Sequence, residues 1–435
     1  MRKIALAALI TLITATPALA DGHDVKTKII HAGEMLNVET GEVLKDQFII
    51  IDGDRIRDIV TLRDMEDMDD EEVEFIDLSN MTVLPGLSDS HVHLTGDANT
   101  HGYKRLAVST PRAAITGVRN AQRTLMAGFT TVRNLGAPGF TDVALMEAIE
   151  AGDVPGPRIL PAGRSIGITG GHCDSNLLPY EYGDIAGGVA DGPWGVRKKV
   201  RENKKYGAKL IKFCATGGVL SKGTKVGAQQ FSFEEMKAIV DEAHMLGLKV
   251  AAHAHGTDGI NTAIKAGVDS IEHSSFISDE GIGAAKTKGT YLSMDVYNSD
   301  YILTEGKKAG ILEESLAKER VVGKKQRQRF QAAVKAGAKM AFGSDAGVYP
   351  HGDNGNQFAY MVKWGMTPLQ AIQASTLNNA ELFGMSADIG SIDKGKYADL
   401  VAVSENPLKD ISVLEDVRFV MKNGEIYKGD SNYSD

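Results

Sequence analysis

The chain has 435 residues, 43% hydrophobic, 24% charged and 6% aromatic, a globular composition that excludes a disordered or fibrous protein. Asp and Glu number 57 against 48 Lys and Arg, a formal net charge of -9. The chain therefore lacks the basic surface that neutralising a phosphate backbone requires, and nucleic acid is not an expected partner.

The first twenty residues, MRKIALAALITLITATPALA, set Arg2 and Lys3 ahead of an apolar run from Ile4 to about Thr14 and end in Ala18-Leu19-Ala20. This pattern predicts a secretory signal peptide over residues 1–20, cleaved near Ala20, and the run is too short to span a bilayer. No later segment reads as a membrane span, so a secreted or periplasmic protein is expected. Cys173 and Cys214 are the two cysteines. Their spacing leaves open one disulfide or two small buried side chains.

Short β-rich runs open the mature chain at Lys28 to Ile30 and at Gln47 to Ile51, and similar runs return at Asp399 to Val403 and Val417 to Met421. They predict a small β-sandwich domain built from both chain ends, residues 21–82 and 385–435. The stretch DMEDMDDEEVE, Asp64 to Glu74, reads as a solvated acidic loop without a function of its own.

Between them, residues 83–384 alternate β-like runs with segments of helical period. The runs are Val83 to Leu87, Phe129 to Arg133, Arg158 to Ala162, Ala208 to Phe213, Leu248 to Ala252, Asp269 to Glu272, Thr290 to Met294 and Lys339 to Phe342. Glu234 to Leu246 and Leu316 to Ala336 have the apolar spacing of amphipathic helices. Eight alternations predict an α/β protein with a (β/α)8 TIM-like barrel. A doubly wound sheet is disfavoured because no Gly-rich dinucleotide fingerprint follows an early strand.

Just after the first of these runs, PGLSDSHVHL places His91 and His93 two residues apart, on one side of an extended backbone. A lone His-x-His pair is weak evidence, and a second occurs at His253 and His255. Position strengthens it. Lys212 ends the fourth run, His253 the fifth, His273 the sixth and Asp345 follows the eighth. In a barrel the carboxyl ends of all strands face one rim, so these residues would converge on one pocket.

In these residues the chain resembles the amidohydrolase superfamily, whose binuclear members carry His-x-His on strand one, a carboxylated lysine on strand four, histidines on strands five and six and an aspartate on strand eight. The strings GFTTVRNLG, IKFCATGGV, HAHG and IEHSS are most similar to the imidazolonepropionase-like branch, which includes Xaa-Pro dipeptidases, related carboxypeptidases and ochratoxin-hydrolysing amidohydrolases. The resemblance implies two divalent metal ions, with Lys212 carboxylated by carbon dioxide into a bridging anion. His91, His93 and Asp345 would hold one ion and His253 and His273 the other, and nitrogen and oxygen donors without thiolate suit zinc best. A hydroxide shared by the metals would attack the carbonyl, with Asp345 carrying its proton to the leaving amine.

The implied substrate is a small amide or dipeptide cut at the bond to a C-terminal L-amino acid: a dipeptide, an N-acyl amino acid or ochratoxin A. Hydrolysis of a lactone or cyclic amide at the same site, or a non-catalytic binding role, is the alternative. Gly256 in HAHG stands where an imidazolonepropionase carries HADE, which disfavours ring opening in histidine breakdown. Relatives are often homo-oligomers, and the resemblance implies one here. His172, His255, Tyr297 and His351 are the candidate substrate-binding residues, all expected on the rim. Lys222 and Lys225 read first as solvated loop lysines and second as charges that attract the substrate carboxylate. Ser88 occupies a position more usually apolar in this branch.

Overall fold

The computed structural model describes residues 27–65 and 73–429. The signal peptide and most of the acidic stretch lie outside them. Strands from both chain ends form one seven-stranded sheet, in the order Glu425–Lys428, Phe419–Lys422, Leu400–Val403, Val73–Pro85, Thr27–Leu36, Val43–Asp52 and Arg55–Thr61. Ile30, Ile49, Leu78, Leu400 and Phe419 from this sheet share one apolar core.

The remaining strands are parallel and fall into two sheets. One holds Leu87–Val92, Phe129–Asn134 and Arg158–Pro161, and the other Leu210–Cys214, Lys249–Ala254, Ser270–His273, Tyr291–Ser293 and Met340–Ala341. Most are buried along their whole length, as expected of parallel strands with helices packed outside. Parallel bridges Val92 to Ala346 and Ile166 to Phe213 connect the two sheets. Asp345 N–H donates to His91 O at 2.8 Å, and Cys214 N–H donates to Ile166 O at 2.9 Å.

The expected first barrel strand needs correction. Val83 to Pro85 pairs antiparallel with Leu400 to Ala402 in the seven-stranded sheet, and Leu87–Val92 opens the parallel one. Gly86 divides the apolar run: its N–H donates to Asp399 O, and a side chain there would meet Thr130 and Asp399. His91 therefore lies on the strand itself, and His93 follows directly.

The outer helices start where sequence chemistry sets them. Ser232 caps Phe233–Met245 in a reciprocal box with Glu235, and Thr367 does the same with Gln370 for Pro368–Ser375. Ser88 is also explained. It is buried, its Oγ donates to Ser375 O at 2.6 Å, and its N–H donates to Ser375 Oγ at 3.2 Å, so this polar residue fastens the first parallel strand to the last helices. Among the described residues no helix is long and apolar enough to cross a membrane.

Candidate active site

The carboxyl ends of the parallel strands meet at a cavity of about 920 Å³ lined by His91, His93, Lys212, His253, His273 and Asp345. All six expected ligands are thus brought together. His91 Nε2 and His93 Nε2 are 3.3 Å apart, and each is 3.3 Å from Asp345 Oδ1. In a second group, one ligand atom from each of His253, His255 and His273 lies within 4.8 Å of the others. His273 also belongs to a group with His91 and Asp345, so it joins the two. His253 Nε2 is buried without a hydrogen-bond partner. Such an orphaned nitrogen among other lone-pair donors is the arrangement a cation satisfies, so the donor set fits metal ions.

The backbone is bent to aim these groups. His273 has φ 70° and Asp345 φ 58°, a left-handed conformation that costs a non-glycine residue about 1 to 3 kcal/mol and persists only where surroundings impose it. In a regular strand Glu272 and His273 would face opposite ways. The turn at His273 lets its ring lie 5.1 Å from that of His91 while Glu272 Oε2 sits 3.3 Å from His91 Nδ1.

Several partners hold the ligands in place. Arg133 Nη2 donates to Glu272 Oε1 at 3.0 Å. Asn298 Nδ2 donates to Asp345 Oδ2 at 3.0 Å, leaving Oδ1 toward the histidines. Asp295 Oδ1 lies 2.8 Å from His273 Nδ1 and accepts from Gln326 Nε2 at 2.8 Å. Carboxylates on the far nitrogen fix a ligand histidine's tautomer and raise its basicity. Sequence reasoning did not single out Glu272, Arg133, Asp295, Asn298 or Gln326. The nearest signal was Glu272 beside His273, which strand alternation assigns to the wrong face.

Burial, followed by the charge of Lys212, lowers His91 to about 4, and burial lowers His253 and His255 well below the ordinary imidazole value. These rings are therefore neutral near pH 7, with the lone pair a metal needs. For His273 burial also disfavours the charged form, but the Asp295 carboxylate outweighs it and the value is raised. Burial lowers Lys212 to about 8 against the opposing pull of Glu272 and Asp345. Asp345 is held well below the usual carboxylate range: burial raises it, and its electrostatic interaction with His91 and the hydrogen bond with His93 overcome that.

Two of the four candidate substrate-binding residues line the cavity. The His172 ring stacks 4.1 Å from His253, and its Nδ1 is 2.8 Å from Ser221 Oγ. His255 Nδ1 is 2.7 Å from Ser275 Oγ. Tyr297 and His351 are placed elsewhere. Tyr297 packs edge-on to Tyr349 and Tyr360, with ring centroids 4.9 and 5.2 Å away, and its N–H is held by Gln357 at 3.0 Å. His351 spans Thr124 Oγ1, at 2.9 Å, and the His93 carbonyl, at 3.2 Å, so it supports the backbone of a ligand from behind. Lys222 lines the cavity but donates to Tyr103 OH at 2.9 Å, while Lys225 does not reach the wall. Gly256 faces Gly227, whose carbonyl oxygen would lie 1.9 Å from an added Cβ, so this backbone contact excludes an acidic side chain there.

Cys173 and Cys214 form a disulfide. It ties the loop carrying His172 to the end of the strand carrying Lys212. Closing a loop across 41 residues stabilises by up to about 4 kcal/mol through the unfolded chain. Cys173→Ser with Cys214→Ser is expected to lower the unfolding free energy by about 2 to 4 kcal/mol. Chemical denaturation checks this, and an unchanged midpoint would contradict it.

Parallel strands with these histidines, the lysine and the aspartate gathered at their carboxyl ends are the arrangement of a hydrolase of the amidohydrolase superfamily, and the amidohydrolase family profile matches residues 82–427. The chain belongs to this family, in the branch that holds ochratoxinase, imidazolonepropionase and Xaa-Pro dipeptidase, and is a hydrolase acting on amide bonds. It is 33% identical to ochratoxinase of Aspergillus niger, over 94% of this chain and 88% of that one. A crystal structure of a Xaa-Pro dipeptidase with methionine bound in its active site superposes with a TM-score of 0.87 at 39% identity, covering 93% of this chain and all of the other. Imidazolonepropionase of Clostridium tetani is 26% identical over 88% of this chain and 91% of its own.

Proposed function

We propose that the protein is a secreted two-metal amidohydrolase that releases a C-terminal L-amino acid from a dipeptide, an N-acyl amino acid or ochratoxin A. The observation that carries this is the mutual approach of His91, His93 and Asp345 beside a second histidine group joined to it through His273. In this reading His91, His93 and Asp345 would hold one ion and His253 and His273 the other, with Lys212, carboxylated, as a further anionic ligand. Zinc suits the donor set. Bound there, the ions supply an acidified water and polarise the scissile carbonyl. The bridges at both sheet junctions support a closed barrel, and the two apolar clusters of the seven-stranded sheet support a small β-sandwich from the chain ends. The disulfide fits export to an oxidising compartment.

The chain's own groups do the rest. Asp345, ionised and steadied at Oδ2 by Asn298, takes the proton of the attacking water and passes it to the departing amine. His172, half-buried, and His255, buried, both neutral on the wall, hydrogen-bond the substrate carbonyl as negative charge develops on its oxygen. His255→Ala is expected to lower kcat by roughly 10- to 100-fold with both metals retained. Loss of one metal equivalent in that variant would make His255 a ligand instead.

Release of free amino acid from Xaa-Pro, Xaa-Arg, Xaa-Phe and N-acyl-phenylalanine substrates, ochratoxin A included, tests the function. Chelator-sensitive release is expected. No release from any member with two metals bound would overturn it in favour of lactones or cyclic amides.

A further inference from the structure

Every substrate in the proposed class ends in a free carboxylate, and two loop lysines were the sequence's candidates to bind it. The structure gives both other surroundings: Lys225 is off the wall, and Lys222 donates to Tyr103 OH and lies over its ring. Arg164, also on the wall, faces Glu202 at 3.6 Å and the Phe140 ring at 4.9 Å. Apart from Lys212 at the metal-binding candidates, Arg105 and Arg112 are the cavity lysines and arginines whose side chains make no hydrogen bond or ion pair among the described residues. Arg105 stands on the short 3-10 turn Gly102–Ala107 and is an exposed residue, although neighbouring atoms partly desolvate its guanidinium and lower its pKa.

Arg105 lies on the wall of the site cavity together with the rings of His172 and His101. Both rings line the cavity, and His172 stacks on His253. Asp184 is the wall acid whose charge reaches Arg105, and it forms no ion pair with it among the described residues. An unpaired guanidinium on the wall of a hydrolytic cavity offers a planar fork that matches a carboxylate bidentately. Nearby apolar residues, Val219, Leu220, Ile302, Ile311 and Val348, line the same cavity and give an uncharged side chain a dry surface.

We propose that Arg105 binds the α-carboxylate of the substrate and so selects the C-terminal residue over internal amides. This rests on the amide-hydrolase reading above. The step is binding only: two N–H donors of Arg105 meet the two carboxylate oxygens, and no bond changes.

The test compares Ala-Phe with Ala-Phe carboxamide as substrates of the zinc-loaded enzyme, in wild type, Arg105→Gln, Arg105→Lys and, as a control, Arg112→Gln. Removing one partner of a charge pair predicts that kcat/KM for the free acid falls about 10- to 100-fold in Arg105→Gln, mainly through KM. The carboxamide is expected to change less than about 3-fold, with partial recovery in Arg105→Lys. Equal losses on acid and amide, or the same discrimination in every variant, would overturn the assignment. Calorimetric binding of N-acetyl-phenylalanine and its carboxamide separates this from the function itself. A wild-type preference for the acid that disappears in Arg105→Gln upholds Arg105 even if no bond is cut, and its persistence refutes Arg105 even if hydrolysis is confirmed.

Discussion

Asp345→Asn is expected to lower kcat by about 10³-fold or more while part of the metal stays bound. The carboxylate has two separable tasks in the proposed mechanism. As a donor, Oδ1 sits 3.3 Å from both His91 Nε2 and His93 Nε2, and an amide oxygen in its place is still a ligand, though a weaker one. As a proton carrier it has no substitute, because an amide neither accepts the proton of the water nor delivers it to the amine. The backbone adds a reason for conserving shape. Asp345 has a left-handed φ and its N–H is held by His91 O, and Asn tolerates that conformation well. The variant is therefore expected to fold, which isolates the chemistry. Rapid-mixing kinetics with metal analysis on the same preparation checks it, and near-normal kcat would remove Asp345 from the proton path.

Lys212→Ala is expected to lose both metal occupancy and turnover, the latter by roughly 10³-fold. An uncharged amine is the form that adds carbon dioxide, and the product would be an anion able to offer two oxygens to cations in the cavity. A bare ammonium there would repel divalent ions. Alanine removes the anion and leaves space in its place, so a short carboxylic acid such as propionate is expected to restore part of the activity. A variant with unchanged metal content and rate would show that Lys212 is a buried structural amine. Restored activity without added carboxylate would do the same.

Much of this site is legible in the sequence because the parallel-strand topology does the long-range work. Lys212, His253, His273 and Asp345 each sit at or just past a strand end, and one rule, that these ends share a rim, brings residues more than a hundred positions apart to one cavity. The first strand was harder. Val83 to Leu87 is one apolar run by composition, and only the tight packing of Gly86 between Thr130 and Asp399 divides it between two sheets. Tyr297 and His351 follow strands seven and eight as expected of rim residues, yet their side chains turn away, Tyr297 into an aromatic cluster and His351 behind the His93 carbonyl. Side-chain direction after a strand end depends on the loop's dihedral angles, which period and spacing do not encode. The Glu272 contact with His91 was hidden for a related reason: it exists because His273 leaves the regular strand conformation.

The central claim is a two-ion centre bridged by a modified lysine, and anomalous diffraction at the zinc edge from crystals of the zinc-loaded mature protein tests it most directly. The account predicts two peaks, one among His91, His93 and Asp345 and one beside His253 and His273, with carbamate density continuous from Lys212 Nζ to both. A single peak, or two peaks beside an unmodified Lys212, would contradict it.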